Sequence, residues 1–301
     1  MNKLVFLFLL VFSCVSFSWA QSANSTNEWS GFYVGGNGFA SSDKTDASAT
    51  LLVRNITNLF VTGRGIVVVP NFTTNFAVSK RKTNGGGGGQ AGYQWQAGKS
   101  VFGVEGDFNP VYRTFSVSQS QQLPPTTLQP ASTINARRDV RLSREFSIRG
   151  RGGVAFGKTL IYGTGGFSNA RAQVTSIDSF TNPGGLAATS PGTAAFNSGA
   201  EGPVVTTANE TKNMNGWNVG GGFEQKFGKH LSIGFEYRHT DFRSKTFTLS
   251  NQTTINTGSE TKGDAGGSGL GVTGNLGSVS TGPTSISLKS DSFGVRVNFH
   301  F

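Results

Sequence analysis

The chain has 301 residues, of which 43 are glycine and 25 phenylalanine; only 14% are charged, and the net charge is +10. So little charge, with abundant Gly, Thr, Ser and aromatic residues and few helix formers, argues against a helical or ordinary soluble α/β enzyme and for β-structure. The lone cysteine, Cys14, lies in the first twenty residues, which excludes a disulfide scaffold and thiolate metal sites in the remainder.

The N-terminus reads as an export signal. Lys3 supplies the positive charge, Leu4 to Phe17 the apolar core, and Ser18-Trp19-Ala20 the small residues before a cut at Gln21. Residues 1–20 are thus expected to be a signal peptide and 21–301 a single β-barrel domain. No later stretch has 18 consecutive apolar residues. The positive charge suits anionic partners such as phosphorylated lipid; nucleic acid is not expected for an exported chain.

Strands then follow in chain order. Trp29–Ala40 is the first, with faces that parity does not assign. Ala91, Tyr93 and Trp95 alternate with Gln90, Gly92, Gln94 and Gln96 in the second. Phe102, Val104 and Phe108 oppose Gly103, Glu105 and Asp107 in the third. Phe146, Ile148, Gly150, Val154 and Phe156 oppose Ser147, Arg149, Arg151 and Gly153 in the fourth. Thr159–Ala170 is the fifth, again without assignable faces. Trp217, Val219, Gly221, Phe223 and Phe227 alternate with Asn218, Gly220, Gly222, Glu224 and Lys226 in the sixth. Leu231, Ile233, Phe235 and Tyr237 oppose Ser232, Gly234, Glu236 and Arg238 in the seventh. The eighth alternates without error to the last residue: Phe293, Val295, Val297, Phe299 and Phe301 against Ser292, Gly294, Arg296, Asn298 and His300.

The connections are lopsided. Gly98-Lys99-Ser100, Gly157-Lys158 and Gly228-Lys229-His230 are tight hairpins. The others, about 41–86, 109–144, 171–215 and 243–290, are long and carry all nine prolines, so no proline is expected inside a strand. Short turns at one end and long loops at the other describe an eight-stranded antiparallel transmembrane β-barrel with periplasmic turns and extracellular loops, located in the outer membrane. In lipid every backbone group must be paired, so the last strand must close on the first. Phe299 and Phe301 at the end of that strand are expected to serve as the signal read by the barrel-insertion machinery. "ATLLVRNI" and "GRGIVVVP" in the first long connection leave open strand extension, an added hairpin or a ten-stranded ring.

"WSGFYVGGNGFA", "GGGQAGYQWQAGKSVFGVEGDF", "FSIRGRGGVAFGKTLIYGTGGFS", "NGWNVGGGFEQKFGKHLSIGFEYRHTDF" and "SFGVRVNFHF" resemble the Omp25/Omp31 family of small outer-membrane β-barrel proteins of Gram-negative bacteria. The likeness covers every expected strand and none of the long loops. It implies an eight-stranded barrel with a role in envelope integrity or surface interaction; some relatives are called porins and some bind hemin.

Several motifs invite sharper readings. Gly152 to Thr159 matches the P-loop pattern, but it runs strand, turn, strand, where phosphate binding needs a helix N-terminus. Gly85–Gly89 enters the second strand and reads as a strand start where neighbours pack closely. Parity sends Glu105, Asp107, Arg149, Arg151, Glu224, Lys226, Glu236, Arg238 and Arg296 into the lumen, four acids and five bases. Eight strands enclose a space that side chains just fill, so a paired network plugging the lumen is expected; a narrow selective channel lined by the same groups is the alternative. Glu105 and Asp107 could be read as a catalytic pair, but both sit on one strand face amid several arginines and ion pairing explains them; no Ser/His/Asp set can be assembled around His230, His239 or His300. No enzyme activity and no cofactor is expected; hemin or small-ligand binding through His239 is a third reading. Lys80, Arg81, Lys82, Arg137, Arg138 and Arg141 cluster before strands at the outer rim and suit lipopolysaccharide phosphates. Tyr93, Trp95, Trp217, Tyr237, Phe299 and Phe301 fit interfacial girdles. The loops are the expected contact with host or surface ligands.

Overall fold

A computed structural model describes residues 28–54, 59–61, 64–67, 72–123, 132–182, 201–249, 252–255 and 277–301. The expected signal peptide, 1–20, lies outside the described residues. Twelve strands follow one another: β1 (Gly31–Arg54), β2 (Leu59–Val61), β3 (Arg64–Val67), β4 (Phe72–Ala97), β5 (Ser100–Asn109), β6 (Arg113–Leu123), β7 (Ser132–Phe156), β8 (Thr159–Asn182), β9 (Glu201–Phe227), β10 (Leu231–Phe247), β11 (Gln252–Ile255) and β12 (Gly277–His300). Eight of them, β1, β4, β5, β7, β8, β9, β10 and β12, form an antiparallel ring in that order. It closes where β12 runs back along β1, from Tyr33 opposite His300 to Arg54 opposite Ser278. β2 and β3 pair only with each other, so the first long connection extends a strand and adds a small hairpin, and the ring keeps eight strands.

All three tight turns fall where glycine spacing placed them. Each needs one left-handed residue, supplied by Gly98 (φ 60°), Gly157 (φ 59°) and Gly228 (φ 75°). The P-loop-like segment is one of these hairpins: β7 ends at Phe156 and β8 begins at Thr159.

Two expectations change. The strands run far into the segments read as loops, reaching 24–27 residues in β1, β4, β7, β8, β9 and β12. Among the described residues two prolines therefore lie inside strands. Pro283 sits where the β1–β12 register slips between Ala49 and Leu51, and Pro203 where the β8–β9 register slips between Phe180 and Asn182. Such irregularities release a ladder hydrogen bond, which is the bond that proline cannot make. Gly85–Gly89 is likewise internal to β4 and not its start: the Phe39 ring occupies the space that a Cβ at Gly86 would need.

The barrel changes chemistry along its axis. Near the tight turns the outer surface is apolar, carrying Phe102, Val104, Phe146, Ile148, Ile161, Phe167, Val219, Val297 and Phe299. The interior there is polar. Beyond that belt the arrangement inverts. Ala47, Phe76, Phe115, Val140, Leu142, Ala172, Val174, Met214, Phe242, Phe247, Ile286 and Leu288 form a buried apolar core inside, while Ser, Thr and Lys face out. The belt is a membrane surface, and the outer half is built like a water-soluble β-protein.

The outer half is also split. β5 stops at Asn109, and β6 rejoins β7 alone. Between β4 and β6 the Lys80 ammonium donates to the Ser116 carbonyl and that of Lys82 to the Thr114 carbonyl, each at 3.0 Å. On the opposite side the β9–β10 ladder ends at Gly216 with Phe242. There Lys212 donates to the Thr246 carbonyl at 3.0 Å, and the Thr248 N–H donates to Glu210 at 2.6 Å. Lys212, 2.8 Å from Glu210, holds that carboxyl below the usual carboxylate range. Two seams thus separate a β4–β1–β12–β10 sheet from a β6–β7–β8–β9 sheet, and side chains cap the open edges.

Candidate functional site: the charged lumen

Every one of the nine expected lumen charges lies inside the ring, and eight have less than a tenth of their surface exposed; the Glu236 side chain is 12% exposed. Strand alternation brings them there: β5 supplies two acids, β7 two arginines, and β9, β10 and β12 the rest.

Glu105 is the hub. It accepts from Arg149 and Arg296, lies 3.9 Å from Arg151, and accepts the Tyr33 hydroxyl at 2.6 Å. Glu236 accepts from Arg149, from Arg296 at 2.8 Å and from the Tyr162 hydroxyl at 3.0 Å. Glu224 pairs with Arg151 and takes the Asn298 amide at 2.8 Å. Asp107 meets Arg149 at 3.1 Å and Arg238 at 3.2 Å. Glu105 and Asp107 are thus saturated by arginines, which leaves neither carboxyl free to act as an acid or base. Lys226 donates to the Glu28 carbonyl and sits 5.0 Å over the Trp29 ring.

Farther out the network continues through residues that sequence reading missed. Asp43 meets Arg113 at 3.2 Å and Asn84 at 2.7 Å; Glu145 lies 3.7 Å from Arg113 and 4.0 Å from Arg238. Arg138 pairs with Asp178 inside the apolar core. Asp43, Glu145 and Asp178 join the four expected acids, and Arg113 and Arg138 the five bases. Among the described residues seven charges of each sign therefore meet in the interior, as a medium that cannot screen charge demands. A cavity of about 30 Å³ remains among Asn37, Gln90, Asp107, Arg149, Arg238 and Arg296, room for about two waters.

Both hydroxyls that complete the network come from strands whose faces parity left open. Tyr33 and Tyr162 point inward beside outward Phe32 and Ile161, so apolar character appears on both faces. Tyr33 fits because its ring lies over Gly92, where a Cβ would come within 2.6 Å of the ring carbon that bears the hydroxyl. Gly92→Ala is expected to push this ring away and to lower stability by about 1–3 kcal/mol. Urea unfolding in lipid vesicles checks it, and the loss should shrink on a Tyr33→Ala background, which removes the ring, but not vanish, because the Val104 carbonyl would also lie 2.7 Å from the new Cβ.

The turn end is corked. Trp29, at the expected start of the first strand, instead turns inward ahead of β1 and is fully buried with Val101, Ala155, Leu160 and Tyr162. Its N–H donates to Gln96 at 2.9 Å and its indole to the Gly157 carbonyl at 3.0 Å. His300 lies beneath it, 2.8 Å from the Ser232 hydroxyl and 3.4 Å from Glu224. Carboxylate and hydroxyl approach the same ring nitrogen, so the acid does not orient the ring from the far side as a catalytic triad requires. His230 stacks on Phe299 in its turn, and His239 faces out, bonded to Asp291 at 2.7 Å.

The rim residues separate. Lys80 and Lys82 tie the β4–β6 seam, Arg81 is exposed, Arg137 is paired with Asp139 at 3.0 Å, and Arg141 lies over the Tyr112 ring. Arg138 is a correction: it is fully buried and cannot reach lipid. A register shift in β7 between Leu142 and Arg144 exchanges the faces, so that residues on one side of it point opposite to a simple count. Phe299 and Phe301 face out, ring to ring at 5.2 Å, with Phe301 5.7 Å from Phe32 across the closing ladder.

Two curated relatives named for the outer membrane match part of the chain. The 22 kDa outer membrane protein of Rhizobium leguminosarum bv. viciae is 27% identical over 172 residues, 57% of this chain and 59% of that protein. The 31 kDa outer-membrane immunogenic protein of Brucella melitensis is 27% identical over 157 residues, 52% of each. The chain therefore spans little more than half the length of the curated relatives it matches. A solved structure of Ail, the attachment invasion locus protein of Yersinia pestis, is similar over 86% of this chain and 98% of that one, with 11% identity and a TM-score of 0.28. The model of the outer membrane protein beta-barrel domain matches residues 6–301. The chain, an antiparallel ring of eight strands with an apolar belt, belongs to that outer-membrane β-barrel family.

Proposed function

We propose that this protein is a closed, non-enzymatic barrel that supports the envelope and presents a surface for interaction, its lumen plugged by the nine residues Glu105, Asp107, Arg149, Arg151, Glu224, Lys226, Glu236, Arg238 and Arg296. The observation that carries this reading is the charge-balanced interior, in which a gap of about 30 Å³ lies among the described residues. A pore for hydrated solutes needs a continuous path, and the arginines occupy it. In this reading residues 1–20 direct export, Phe299 and Phe301 are read by the insertion machinery, and Arg81, Arg137 and Arg141 with the seam lysines Lys80 and Lys82 meet lipopolysaccharide phosphates at the rim. The outermost strands and connections engage host or surface ligands. The Brucella melitensis relative is named an immunogenic outer-membrane protein, which accords with exposure of that end.

Single-channel recording of the refolded protein, without residues 1–20, in a planar bilayer tests the plug. The expected result is a silent membrane, with folding verified by heat-modifiable gel mobility. Stable conductance steps that change in Arg149→Ala and Arg238→Ala would replace this reading with a narrow porin-like channel.

A further inference from the structure

The outward face of β7 and β8 carries a charge arrangement that the fold itself does not need. Arg144 and Arg171 stand directly opposite each other across the ladder, and both are exposed. Like charges in this position repel. Among the described residues neither forms an ion pair, and their ladder neighbours on the same face are the neutral Gln173, Asn169 and Asn213. Arg141 adds a third positive charge one step farther out, its guanidinium 5.8 Å from the centre of the Tyr112 ring. Several other outward bases are matched: Lys44 with Asp46 at 3.5 Å, Lys289 with Asp241 at 3.1 Å, and Arg137 with Asp139 at 3.0 Å.

Height decides what the pair would meet. Arg144 lies two residues beyond exposed Phe146, and Arg171 four beyond exposed Phe167, at the outer edge of the apolar belt. Two residues of strand are about 7 Å, which puts the guanidinium groups just outside hydrocarbon, at the level of lipid phosphates. Arginine stems can lie along apolar surface while the heads reach up.

We propose that Arg144 and Arg171, with Arg141, form a site for a phosphate monoester of an outer-leaflet lipid headgroup. The bound phosphate accepts forked hydrogen bonds from both guanidinium groups and cancels their repulsion. The site rests on the rim contact proposed above and moves its centre to two arginines that face each other across one ladder.

The test is binding of bisphosphorylated lipid A, and of the same lipid without its phosphates, to the refolded protein in detergent micelles, read by native mass spectrometry. The wild type is expected to prefer the phosphorylated lipid. Arg144→Ala/Arg171→Ala should weaken that binding about tenfold or more, whereas Lys44→Ala/Lys289→Ala should not. The melting temperature of the first double variant should equal or exceed that of the wild type, since a repulsion has been removed. Phosphate-dependent binding that survives in Arg144→Ala/Arg171→Ala would overturn this site and leave the rim contact standing. Equal binding of the two lipids by the wild type would overturn both.

Discussion

Replacing Glu105 by glutamine is expected to lower the stability of the folded barrel by about 3–5 kcal/mol, because a buried charge network that loses one partner leaves its counterions uncompensated. Arg149 and Arg296 both donate to this carboxylate, Arg151 lies within 3.9 Å, and the Tyr33 hydroxyl points at it. Glutamine preserves the shape but turns one accepting oxygen into a donor facing other donors, so the loss reports charge together with the hydrogen bonds of that oxygen. Urea unfolding in lipid vesicles should show the midpoint falling sharply in Glu105→Gln and recovering substantially when Arg296→Met is added, which restores neutrality. A single variant as stable as the wild type would show that the interior tolerates excess positive charge and would remove the electrostatic account of the plug.

The second large effect follows from the inversion along β12. Val297 sits outward near the middle of the apolar belt, whereas Ser287 faces outward and Ile286 inward in the outer half. Arginine at Val297 is expected to cost about 2–4 kcal/mol, as charge on the lipid face of a barrel near the bilayer midplane does. At Ser287, opposite Asp46 on β1, the same substitution should fall within about 0.5 kcal/mol of wild type. At Ile286, buried in the outer core, it should cost more than at either site, since the charge enters an apolar interior without a partner. The order of urea midpoints across these three variants checks the assignment. If Ser287→Arg were as damaging as Val297→Arg, the membrane would extend farther up the strands than the apolar belt does.

That inversion also explains what could be read from sequence. The lower barrel was legible because lipid outside and charge inside give each strand maximal contrast: Phe293, Val295, Val297 and Phe299 against Arg296 and Asn298 allow no other parity. Moving outward, the sign of the alternation reverses. Where it crosses zero both faces are polar, as at Ser41, Ser42, Asp43, Lys44 and Thr45 on β1, and a strand there looks like a loop. Beyond the crossing the interior residues of β1 are as small as Ala47 and Ala49, too weak a signal against Ser and Thr outside. In β7 the register slip after Leu142 compounds this, and Arg138 was placed on the surface when it is buried with Asp178. The lumen charges were legible singly, since parity suffices to point them inward. Their partners Asp43, Arg113 and Glu145 were not, because they stand at or beyond the crossing. The seams were invisible for a different reason: they arise from where ladders stop, which depends on strands far apart in the chain.

The ladder between β1 and β12 joins the first and last strands of the ring, and this constrains the order of events during assembly. The other neighbouring strands of the ring are close in sequence and can pair as the chain emerges, but the sealing contact requires closure of a loop spanning nearly all the strands, the slowest kind of contact to form. Until it forms, an incomplete sheet has two open edges, and in hydrocarbon each unpaired backbone group costs several kcal/mol. Insertion is therefore close to all-or-none: Gly31 to Ala40 must be kept from pairing elsewhere until Phe293 to His300 arrive. A factor that shelters one edge while the other is completed would shorten that wait without contributing any contact to the finished barrel.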